Sequence, residues 1–117
     1  MALKKIKLGS FAAGEIPNPI AHQYTDWQGN PIPMTGWTIL GFFVDGDGPT
    51  AGTAAWVDAE EGILGYTWHA DDMQIPGRYT GLLWVQDLSA DPTRRFASDQ
   101  FEWMVVDGPG PTPPEAP

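Results

Sequence analysis

The side chains that could do chemistry in this chain are mostly carboxylates, and their spacing suits turns better than catalysis. Asp45 and Asp47 alternate with glycine in the run DGDG, and alternating carboxylates in a glycine-rich loop can offer oxygen ligands to calcium. The later ligands and terminal glutamate of a calcium hand do not follow, and Asp-Gly between strands is the strongest short hairpin signal. Asp45 and Asp47 are thus weak metal candidates, and neither metal nor cofactor is expected. Asp71-Asp72 and Glu60-Glu61 read as loop charges, with Asp71 or Asp72 capping a turn. Glycoside hydrolysis would need two acids facing a sugar at fixed separation, and nothing in the sequence selects such a pair. His22 and His69 stand apart from any other ligand-type spacing. A G-x-S-x-G nucleophile motif and a phosphate-cradling loop are both missing from the sequence. Enzyme activity is not expected.

The aromatic residues are more informative. Six tryptophans in 117 residues is a surplus, and a tryptophan either fills a core or anchors an interface. Trp68 and Trp103 fall on inward phases of alternating runs and are expected in the core. If Tyr79, Leu83 and Val85 face inward, then Leu82 and Trp84 face out. Trp27, Trp37, Phe43 and Trp84 are the candidate contact residues, and Lys4, Lys5 and Lys7 of the lysine-rich first strand are further interface candidates, expected to lie along an adjoining subunit.

These side chains must be positioned by short strands. Fourteen glycines and twelve prolines break the chain into short apolar runs, and no stretch keeps a helical apolar period over three turns. The expected fold class is an all-β sandwich of about seven antiparallel strands. A first strand is expected over Ala2 to Leu8, an irregular crossing over Gly9 to Asn18, and a short edge strand over Ile20 to Tyr24. Trp37 to Val44 should be a strand with Leu40, Phe42 and Val44 on one face and Ile39 and Phe43 on the other. Thr53 to Asp58 should be extended and joined through a hairpin at Asp58 to Gly62 to a strand over Ile63 to His69. In that strand Leu64, Tyr66 and Trp68 alternate with Ile63, Gly65 and Thr67, so the large residues should point inward. Pro76-Gly77 is read as a turn, followed by a strand over Tyr79 to Gln86, an Asp/Pro/Arg loop and a last strand over Phe101 to Val106. Tyr79, just past a corner, is placed to hydrogen-bond back to the preceding loop. One domain is expected over residues 1–107, and the proline-rich residues 108–117 as an extended arm.

The net charge is −9, and the three lysines all lie at Lys4, Lys5 and Lys7, with Arg78, Arg94 and Arg95 as the later cations. A strongly acidic surface repels phosphate backbones and anionic lipids, so nucleic acid and membrane are not expected partners. The chain lacks cysteine, which removes disulfides, thiol chemistry and cysteine-bound zinc. The start MALKKIKLGSF lacks the apolar run of a signal peptide, and no window approaches a membrane span. The protein is expected to be cytosolic when made.

One ordered series of features extends over most of the chain: Asp26-Trp27-Gln28-Gly29-Asn30-Pro31-Ile32 before Thr35-Gly36, Phe42 and Val44, Gly52 to Ala55, and Asp58 with Gly62. It continues through Leu64, Tyr66 and Trp68, Asp71-Asp72, Pro76-Gly77 with Tyr79, and Phe101, Trp103 and Val105. In that order and spacing the stretch from Gly29 to Val106 resembles the immunoglobulin-like domains of tailed-phage virion proteins, in particular the N-terminal domain family of baseplate upper proteins. The resemblance implies a non-enzymatic virion module that docks on other virion proteins, in a symmetric multi-copy assembly. With one domain and no shaft or receptor-binding region, a capsid decoration protein or a head-to-tail or tail accessory subunit is expected. The rival expectation is a carbohydrate-binding or host-adhesion module, in which exposed Trp and Tyr rings stack on sugars; fold alone does not separate the two.

Overall fold

Period-two alternation sets most side-chain directions in the computed structural model, which describes residues 4–45 and 50–107. The strands are β1 (Lys5–Ala12), β2 (Ile20–Gln23), β3 (Thr38–Val44), β4 (Thr53–Asp58), β5 (Ile63–Thr67), β6 (Gly77–Asp87), β7 (Arg94–Ala97) and β8 (Gln100–Val106). A short 3-10 helix, Ala70–Met73, lies between β5 and β6. They form two sheets: a five-stranded sheet ordered β1-β8-β6-β3 with β7 also paired to β6, and a three-stranded sheet ordered β2-β5-β4. The fold is the expected all-β sandwich. The residues expected to form the proline-rich arm, 108–117, lie outside the described residues.

The strongest sequence signal is obeyed. Leu64, Tyr66 and Trp68 are all buried, while Thr67 on the opposite phase is exposed. They meet Phe42 at the centre of the interior, with ring centroids of Tyr66 at 4.6 Å and Trp68 at 5.6 Å. Phe101 and Trp103 close in from β8 at 6.2 and 5.7 Å. Such aromatic pairs each contribute about 0.5–1.5 kcal/mol beyond the area they bury. Gly81 belongs to this packing, because a Cβ there would lie 2.4 Å from Phe42 Cζ. The Tyr24 hydroxyl donates to Leu83 O at 2.6 Å, which ties the end of β2 to the other sheet.

Four expectations need correction, and each has a local cause. β1 continues to Ala12 where an irregular crossing was expected, because its parallel ladder with β8 holds as far as Ala12 opposite Val106. In β3 the register shifts between Ile39 and Gly41. The extra residue of this bulge, Leu40, inverts the phase, so Ile39 joins Phe42 and Val44 on the core face. The Asp/Pro/Arg loop ends in a real strand, β7, which pairs with β6 where β8 leaves off. Finally, His69, at the end of the expected fifth strand, instead caps the 3-10 helix, and Asp72 accepts from His69 N at 3.0 Å.

Candidate docking faces

The solvent side of the larger sheet is built from residues that alternate with the core. On β6, Leu83 and Val85 are fully buried, which turns Leu82 and Trp84 outward. Leu82 sits beside Phe43 of β3, and Trp84 lies between Gly41 and Ala97, neither of which has bulk to cover it. Phe43, Leu82 and Trp84 are each half-buried and form one apolar row. Cations surround it: Lys5 and Lys7 on β1, Arg78 on β6, and Arg95, whose Nε donates to Gln86 Oε1 at 3.1 Å. Lys7 pairs in register with Glu102. A shallow groove crosses β1, β8 and β6 here, lined by Lys7, Ser10, Arg78 and Thr80 among others.

The solvent side of the smaller sheet is its opposite in shape and sign. Ala21, Gly65 and Ala55 stand in one row across β2, β5 and β4, so the middle of this face is flat. Val57, 69% exposed, leans over it: a Cβ at Gly65 would meet Val57 Cγ2 at 2.9 Å. The β4–β5 hairpin carries Asp58, Glu60 and Glu61, and neither it nor the strands of this sheet hold a lysine or arginine. All six cations of the chain lie on or beside strands of the larger sheet. Lys4 adjoins β1, its carbonyl accepting from Gln100 N at 2.8 Å. Lys4, Lys5 and Lys7 are exposed, and the ion pairs among the described residues involve none of them.

Trp27 projects from a loop closed on itself. Asp26 Oδ1 accepts from Gln28 N and Asn30 N, both at 2.9 Å, and Gly29, at φ 88°, turns the chain so that its N–H reaches Asp26 O at 2.9 Å. The indole is 91% exposed. Among the tryptophans, tyrosines and phenylalanines of the described residues it alone stands mainly in solvent, so no pair of such rings is presented. Trp37 is not an outward contact residue as expected: it is buried, packed on Phe96 at 5.1 Å, with the Arg94 guanidinium 5.2 Å above its ring. It lies just before β3 begins, where strand alternation cannot assign a face.

Two of the candidate carboxylates are engaged in structural hydrogen bonds. Asp45, at φ 51°, accepts through Oδ1 from Thr80 N at 3.0 Å and Thr80 Oγ1 at 2.9 Å, which fastens the end of β3 to β6. Asp47 lies outside the described residues. Asp72 accepts from the Tyr66 hydroxyl at 2.5 Å and from Ala51 N at 3.0 Å, and Gly52 N donates to the same hydroxyl at 2.8 Å. Thr50 Oγ1 also meets that hydroxyl. Burial, chiefly, and the Asp72 carboxylate raise the Tyr66 pKa, so the phenol stays protonated. Asp87 is held below the usual carboxylate range, first by Ser89 and then by Arg94. His22 lies 3.9 Å from Asp99, yet burial outweighs that carboxylate and lowers its pKa. Among the described residues, no group of three or more His, Asp or Glu is placed to hold a metal.

Sequence reasoning turned Leu82 and Trp84 outward and named Phe43 and Trp84 as contact candidates, but it did not group the three and missed the flat acidic face. Its signal was present: Ala55 and Val57 alternate with Trp56, and Gly65 falls between Leu64 and Tyr66. Neither the models of known protein families nor the curated proteins give a match to this chain.

Proposed function

We propose that this chain is an immunoglobulin-like docking module of a tailed-phage particle, a non-enzymatic structural or accessory subunit that binds neighbouring virion proteins. The pairing β3-β6-β8 and β2-β5-β4 supports the immunoglobulin-like reading, since it corresponds to the CFG and BED sheets of that fold. So does the Tyr79 hydroxyl, which donates to Ile75 O at 2.5 Å, the corner bond such sandwiches use. The observation that carries docking is the apolar row of Phe43, Leu82 and Trp84 left on the solvent side of the larger sheet. Large side chains framed by charge make binding hot spots, because the rim excludes water while the centre supplies the energy. The location in the particle, from the resemblance, is capsid decoration or a head-to-tail or tail accessory position. Mass spectrometry of density-purified particles tests this: the protein should be present at a fixed ratio to the major capsid protein, and Trp84→Glu should reduce that ratio. Particles free of the protein would overturn the proposal.

A further inference from the structure

The two solvent faces of the sandwich are complementary to each other. We infer that the chain binds a second copy of itself head to tail, the larger sheet of one copy stacking its outer face on the smaller sheet of the next. This inference rests on the docking reading of the same apolar row and names its partner. Shape is the first argument. The larger sheet presents projecting side chains, Phe43, Leu82 and Trp84, and the smaller sheet presents a low floor of Ala21, Gly65 and Ala55 with exposed Val57 standing over Gly65 as an apolar contact for them. Charge is the second. The projecting row is flanked by Lys5, Lys7, Arg78 and Arg95, with Glu102 opposite Lys7 as a carboxylate among them, and the floor ends at Asp58, Glu60 and Glu61 of the β4–β5 hairpin.

Like faces cannot pair in the same way. Two larger sheets would bring their cationic rims together, and two smaller sheets would oppose acidic rims across a floor with little to interdigitate. Opposed like charges discriminate against wrong partners. The contact is therefore heterologous, one surface against a different one, and it propagates into a stack or closes into a ring according to the rotation between copies. The floor limits its strength. Three strands roughly 4.8 Å apart and four to six residues long give a face of only about 250 Å² in projection. That is well short of the ~800 Å² per partner of stable complexes. Association in solution is accordingly weak, and becomes effective where a scaffold holds many copies close together.

Sedimentation equilibrium on the purified chain, from about 10 µM to about 1 mM, tests this directly. The weight-average mass should rise with concentration in the wild type. Lys5→Glu with Lys7→Glu reverses one rim, and Glu60→Lys with Glu61→Lys reverses the other; each pair alone should weaken association about tenfold or more. Mixed together, the two variants should recover it, because each keeps the face the other has lost and the altered rims again oppose unlike charges. Ala55→Arg, an exposed change on the floor, should abolish stacking while leaving thermal unfolding near the wild-type value. A wild type that keeps the mass of one chain at about 1 mM, a mixture that fails to recover, or association unaffected by Ala55→Arg would each overturn the inference. These outcomes are independent of particle membership: a monomeric chain found in virions sinks the stacking alone, and a stacking chain absent from virions sinks the virion reading alone.

Discussion

The interior around Phe42 and the margin where β2 meets β7 are built on different principles. Around Phe42, the rings of Tyr66, Trp68, Phe101 and Trp103 interlock, and volume is what matters. At the margin, His22 stands edge-on to Tyr24 at 4.6 Å and faces Asp99 across an open groove also lined by Arg95 and Phe96. Protonation matters there. The centre should respond to changes of size at any pH, and the margin to changes of pH with little dependence on size.

The sharpest way to break this contrast is Phe42→Ala. Removing the hub of a fully buried ring cluster should cost about 3–5 kcal/mol, read from urea unfolding; a loss under about 1 kcal/mol would mean that the centre is not close-packed. Tyr66→Phe should come next, at about 1–3 kcal/mol, since it keeps the ring but leaves Asp72 and Gly52 N without their shared hydroxyl. Hydrogen exchange at Ala51 and Gly52 should quicken in that variant. Trp103→Phe should cost less than either. Its buried Nε1 has no hydrogen-bond partner, so the loss of ring area is offset by removing an unsatisfied donor.

The smallest effect belongs to the margin. Burial holds the His22 pKa below its ordinary 6.5, so above that pH the imidazole is neutral in both folded and unfolded chains. As pH falls through 6.5 the unfolded chain takes up the proton first, and stability declines until the depressed folded value is passed. His22→Gln should flatten that part of the curve of unfolding midpoint against pH. Asp87 acts in a lower window: its contribution is present above 3.8 and is lost as pH falls below it. Asp87→Asn should therefore change the acid limb and leave the region near pH 6 alone.

The centre was far more legible in the sequence than the margin, for a physical reason. Leu64 and Tyr66 advertise their face because β5 pairs on both sides without interruption of its own alternation, and Trp68 keeps the phase just past its end. Tyr79 was legible from the corner that precedes it. Bulges carry no such mark: Leu40 looks like any apolar strand residue, and only pairing with β6 reveals that it is the extra one. β7 was read as loop because Arg94 and Arg95 lack an apolar face, and it forms because β6 offers a free edge there. Met34 and Met73, both fully buried, reach the core from irregular segments where no period exists to be read. The apolar row was visible as alternation on β6, whereas the acidic floor was hidden because small residues look like the absence of a signal.

The parallel pairing of β1 with β8 has a mechanical consequence. The chain enters the sheet at Lys5, beside Gln100, and leaves it at Val106, beside Ala12, at opposite ends of the same ladder. Tension applied through those two points slides the strands past each other, so the backbone bonds between them share the load instead of opening one after another. Single-molecule pulling should give one abrupt rupture, and a gradual peel would show that the load bypasses this pair. A module wired this way can pass force along its length without coming apart.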